Sequence, residues 1–259
     1  MNNHPFHLVD QSPWPITTSM GLLTMTAGMS MMFMKNEYTL MTMGMLIILM
    51  SAMQWWRDMI RESTYQGLHT KKVMTSMKIG MILFILSEIM FFMSFFWTFF
   101  HSSLSPAIEI GMQWPPNSIK TFNPMDMPLL NTMILLTSGL SITWAHNTLL
   151  MKNWTATMQG IVITIMLGIY FSINQAMEYL EASFCISDSI YGSTFFLITG
   201  FHGIHVIIGT MFITVMMKRM MNMHFSTYHH IGFESAAWYW HFVDVIWLFL
   251  YISVYWWGN

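Results

Sequence analysis

Seven stretches of the chain stay apolar for long enough to cross a membrane, and short polar connections separate them. They cover residues 14–34, 39–56, 78–100, 128–151, 156–179, 190–217 and 236–257. About 20 mostly apolar residues are needed, because each adds 1.5 Å of helix against ~30 Å of hydrocarbon. In lipid every backbone polar group must be satisfied internally, so only helices and closed barrels span it. Barrel strands would show alternation over ~10 residues, whereas these runs are twice as long. The pattern predicts an all-α polytopic membrane protein, one membrane domain over residues 1–259, with no internal repeat. The first stretch is the weakest, diluted by Thr, Ser and Gly.

Composition agrees with that reading. Hydrophobic residues make up 54% of the 259 and charged ones only 8%, against roughly 25% charged in soluble domains. The few charges set an orientation. Arg57, Arg61, Lys71, Lys72, Lys78, Lys152, Lys218 and Arg219 fall in or beside even-numbered connections, while Lys35 and Lys120 fall in odd ones. Basic residues favour the inner side, which predicts an inner N-terminus and, after an odd number of helices, an outer C-terminus. Trp14, Trp55, Trp56, Trp144, Trp154, Tyr255, Trp256 and Trp257 stand at segment ends and are expected to anchor at headgroup level. Residues 1–9 hold no Lys or Arg, so no basic flank of a signal peptide is expected there. Cys185 is alone, which leaves no disulfide framework or thiolate metal site. A net charge of −2 gives no reason to expect nucleic acid. The 32 methionines are scattered through every apolar segment and read as general greasy side chains.

Ionisable groups at membrane depth are functional candidates. Glu88 lies near the middle of its segment with only Ser87 as a polar neighbour in sequence. It is expected to be buried and neutral, since desolvation disfavours the anion. It reads either as a member of a proton relay or ion site, or as a carboxyl hydrogen-bonded into a helix contact. His202 and His205 share one face of the sixth segment, as do His241 and Asp244 of the seventh. A dihaem protein would repeat its axial His at about two heptads; no two of the eleven His are so spaced, and His-Glu-x-x-His is absent. These groups are therefore expected to hydrogen-bond structurally, Asp244 pairing with an imidazole, with no metal and no catalytic residue. A transporter would show broken helices in two matching halves, and none is seen.

Several runs resemble the subunit III family of mitochondrial cytochrome c oxidase. They are QWWRDMIREST at 54–64, GMILFILSEIMFFMSFFWTFFHSS at 80–103, Trp114-Pro115-Pro116 and SITWAH at 141–146. YGSTFF at 191–196, GFHGIHVIIG at 200–209 and HHIGFESAAWYWHFVDVIWLFLYISVYWW at 229–257 complete the set. The resemblance implies a non-catalytic core subunit in the mitochondrial inner membrane, its helices grouped as two plus five. The complex it implies passes electrons from cytochrome c to oxygen and pumps protons, with haems and coppers in partner subunits and none here. The implied partners are chiefly subunit I, then subunit II, accessory subunits and membrane phospholipids held between the two helix groups. The alternative is a similar component of a quinol oxidase.

Two surface expectations follow. Arg57, Arg61, His69 and Arg219 should meet phospholipid headgroups, since a basic side chain near an anionic leaflet is worth about 1 kcal/mol. His4, His7, His69, His224, His229 and His230 fall on the predicted inner face. Imidazole titrates close to neutral pH, so these residues, His4 and His7 first, are expected to collect protons near the uptake entrance.

Overall fold

The computed structural model describes residues 5–259 and, among them, helices without a single strand. Seven long helices follow in order: α1 Trp14–Lys35, α2 Thr39–Thr64, α3 Lys71–Leu104, α4 Met127–Leu150, α5 Trp154–Glu181, α6 Ile190–Met221 and α7 Ile231–Leu250. The last continues without a break into wider π-helical turns over Tyr251–Trp257. Six of the seven are long and apolar enough to cross a membrane. The exception is α1, and its hydroxyls show how it tolerates its composition. Thr18 bonds back to the Trp14 carbonyl, Ser19 to Ile16, Thr24 to Gly21 and Thr26 to Leu22. Each polar atom is thus satisfied inside its own helix.

Several helices run past the apolar stretches that predicted them. α2 continues eight residues beyond position 56, and α3 begins seven residues before position 78. An apolar run measures hydrocarbon thickness, whereas the backbone ladder continues until something interrupts it. Caps and prolines set the ends that matter. Asn153 accepts from the Ala156 amide, and Ser189 from the Tyr191 and Gly192 amides, each satisfying first-turn donors. Pro15 and Pro128 sit at helix starts, where no amide is needed.

The chain divides into two compact units, with the boundary between Met77 and Lys78 inside α3. The first contains the α1–α2 hairpin, closed by three residues, the first of them Asn36 in the left-handed region. The hairpin's only buried helix positions are Gly21 and Gly28 on α1 and Gly44 and Ser51 on α2. Gly28 lies so close to α2 that a Cβ would stand 2.3 Å from the Met41 amide nitrogen. Gly44 does the same to Met25, at 2.5 Å. Small residues let two backbones approach closely, which is how helices associate without a hydrophobic drive. At one end of the hairpin the Trp14 indole donates to Asp58 at 2.7 Å.

The second unit packs α4 against α5 and α7, and α6 against α5 and α7. Its centre is aromatic. Trp240 is fully buried, its ring lying against Gly168 and Gly209, where a Cβ would come within 2.8 and 2.9 Å of it. Its indole N–H donates to Ser138 at 2.9 Å. Trp247, equally buried, donates to Thr132 at 3.0 Å and meets Phe171 edge-on. An indole buried in a bundle needs a partner for its single donor, and each has a hydroxyl on α4.

Candidate functional site

Glu88 stands in mid-α3 and reaches His205 of α6, with Oε2 and Nε2 2.9 Å apart. Its own sequence surroundings offer only Ser87, and the partner it bonds is supplied by another helix. The other ring nitrogen, Nδ1, lies 2.6 Å from the Phe201 carbonyl. A carbonyl only accepts, so Nδ1 carries a hydrogen. Nε2 and the carboxyl then share one further proton, either as neutral acid and imidazole or as carboxylate and imidazolium. Phe91, Phe92, Tyr239 and Phe242 surround the imidazole, and a low dielectric strengthens a satisfied hydrogen bond. The pair can hold or pass a proton, and it offers no electron carrier.

The other expected membrane-depth groups divide. His202 is buried between Phe171 and Trp247, and its Nε2–H donates to the Val243 carbonyl at 3.2 Å. That fixes the neutral tautomer and leaves Nδ1 as an acceptor without a partner. His205 and Asp244 are buried as well. Glu88 and His241 are buried only in part, with 23% and 39% of their side chains exposed, because α3 and the His241 face of α7 lie at the rim of the unit. The expected pairing of Asp244 is loose: its Oδ2 stands 3.9 Å from His241 Nδ1, and Oδ1 has no partner. The carboxyl instead presses on Gly139, where a Cβ would approach it to 2.7 Å.

Two constellations escaped the sequence reading. Tyr255, expected at headgroup level, is fully buried and donates a very short hydrogen bond to Glu178, itself buried. Glu178 lies one residue from the end of the stretch predicted over 156–179, where an acid does not stand out as it does in mid-segment. The second is a group of possible metal ligands that the spacing argument did not reach. His146, His230 and Glu234 bring three potential ligand atoms within 4.8 Å of one another. Spacing along the chain excluded only ligands carried on one helix. Here one comes from the last turns of α4, one from the residue before α7, and one from the first turn of α7.

Among the basic residues, Arg57 and Arg61 converge on Asp58 at 3.1 and 3.7 Å, leaving one net positive charge on an exposed corner of the hairpin. His69 is half-buried in the same unit. Arg219, in the second unit, lies over the Phe225 ring at 4.6 Å. Of the proton-collecting pair, His4 lies outside the described residues, and His7 meets Glu62 at 3.3 Å. Burial, with the Arg219 guanidinium nearby, pushes the pKa of His224 and His229 below 6.5, His230 adding to the effect at His229. Those two therefore bind protons less readily at neutral pH than the inner-face expectation required.

The family model for cytochrome c oxidase subunit III matches residues 4–259. Cytochrome c oxidase subunit 3 of Drosophila melanogaster is 61% identical over 258 residues, covering 100% of this chain and 98% of its own length. The corresponding protein of Aedes aegypti is 60% identical, covering 99% and 98%. That of Ornithorhynchus anatinus is 58% identical over the same shares.

Proposed function

The chain belongs to the cytochrome c oxidase subunit III family, and we propose that it serves the oxidase as a supporting subunit without a redox centre of its own. In that role it braces subunit I, with subunit II and accessory subunits as further neighbours. It lies in the mitochondrial inner membrane with an inner N-terminus and an outer C-terminus. The observation that carries this reading is the Glu88–His205 pair, a membrane-depth site able to hold one proton and unable to carry an electron. Its chemistry suits proton supply to the complex rather than oxygen reduction. The decisive variant is Glu88→Gln, which keeps the hydrogen bond to His205 and removes the titratable carboxyl. Oxygen reduction by the assembled oxidase should persist while its infrared carboxyl band disappears; complete loss of oxygen reduction would overturn the supporting role. The separated chain should also contain neither haem nor copper at one per chain, as metal analysis would establish.

Two surface roles complete the proposal. Arg57, Arg61, His69 and Arg219 contact phospholipid headgroups, the Arg fork suiting phosphate. His7, with His4 three residues before it in sequence, collects protons for uptake, its Nε2 lying 3.3 Å from Glu62. With both replaced by Gln, proton uptake should slow as pH rises, with electron entry unchanged. An unaltered pH profile would remove this segment from the uptake route.

A further inference from the structure

We propose that His146, His230 and Glu234 form a binding site for a divalent ion of the zinc class, tying the end of α4 to the start of α7. The two Nε2 atoms stand 3.3 Å apart. A tetrahedral zinc with Zn–N bonds of 2.0–2.1 Å holds two ligand nitrogens about 3.3–3.4 Å apart. The imidazoles are thus already at the separation such an ion imposes.

The protonation pattern points the same way. His230 Nδ1 lies 3.1 Å from the Ser226 carbonyl and must donate to it, so Nε2 of the neutral ring presents a lone pair. A backbone carbonyl behind the far nitrogen is the usual support of a metal-bound His. In the ion-free chain His146 supplies the hydrogen between the two Nε2 atoms. An ion takes that place once the His146 hydrogen moves to Nδ1. Phe233 packs against the His146 ring and limits its rotation.

Glu234 is the third ligand, in the first turn of α7, four residues after His230. Its two oxygens are held by Lys78 Nζ at 3.0 and 2.7 Å. Lys78 is a resident cation that an incoming ion must displace. His230 is buried, whereas His146, Glu234 and Lys78 are partly exposed, so an ion and a water as fourth ligand can enter. Two imidazoles and one carboxylate suit zinc or cobalt better than magnesium or calcium, which prefer all-oxygen shells. The site is separate from the Glu88–His205 pair and independent of the role proposed for it.

The test uses the assembled complex, stripped with a chelator and titrated with zinc alone, then with cobalt(II) as a spectroscopic substitute. Other subunits can bind either ion, so only differences between variants count. His146→Gln and Glu234→Gln should each weaken one site at least tenfold and remove the visible absorption of one tetrahedral cobalt. Lys78→Met leaves all three ligands in place and frees the carboxylate, so affinity should rise several-fold. Zinc affinity and stoichiometry unchanged in His146→Gln, or weaker binding in Lys78→Met, would overturn the site.

Discussion

The two units of this chain solve the same problem, holding helices together in lipid, by opposite means. In the α1–α2 hairpin the contact is nearly bare backbone: three glycines and a serine are its only buried helix positions. In the second unit the contact is made of large rings, with Trp240, Trp247, Phe171 and Phe195 fully enclosed and the two indole N–H groups bonded to hydroxyls of α4. Lipid chains are as apolar as any side chain, so burial alone favours neither arrangement. Close approach supplies dispersion contacts in the first case. Shape and paired indoles supply them in the second, which also leaves room for ionisable groups. All the membrane-depth pairs described above are in the second unit.

The largest effect should come from filling the glycine seam. Gly28→Leu places a side chain where a Cβ alone would meet the Met41 amide at 2.3 Å. Backbone cannot yield as a side-chain tip can, so the hairpin should lose about 3 kcal/mol or more. Protease sensitivity of the α1–α2 connection would report it, and a hairpin as resistant as the natural one would break the contrast. An intermediate effect is expected from Trp240→Phe in the aromatic unit. It removes the bond to Ser138 and opens space beside Gly168 and Gly209, costing about 2 kcal/mol. Detergent-denaturation midpoints would measure it. A cost below that of an exposed Trp256→Phe control would show that the core is not held by its indoles.

The smallest effect is electrostatic and lies in the connection before α7. His224 and His229 have folded pKa values below 6.5, so the unfolded chain takes up protons that the folded loop resists. Stability from these groups is full above about pH 6.5 and falls as the pH drops through their lowered folded values. Hydrogen exchange of the amides around 222–230 should therefore quicken on mild acidification. His224→Gln together with His229→Gln should flatten that response, leaving the hairpin of the first unit as an unresponsive internal reference.

How much of this was legible can be judged helix by helix. The apolar stretches located every long helix because ~30 Å of hydrocarbon imposes its length on the sequence. They missed the polar extension of α2 to Thr64, since that part leaves the hydrocarbon and nothing in composition marks its end. Glu88, His202, His205 and Asp244 stood out because charge and imidazole are conspicuous in an apolar run. Their partners did not. The sequence gives Glu88 only Ser87 for company, yet it bonds to a residue 117 positions away.

By itself, then, the sequence determined the solvent of this protein, the number and order of its helices, and its family, through motifs spread from residue 54 to 257. Periodicity and composition act over about twenty residues, which is enough for the first two, while the family rests on the resemblance of the motifs themselves. Only the tertiary structure decided that His205 faces Glu88, that Tyr255 turns inward to Glu178, and that His146, His230 and Glu234 meet beside Lys78. Each of these joins residues from different helices. Which faces meet depends on helix rotation and on where a glycine lets backbones close, and no local pattern in the chain encodes it.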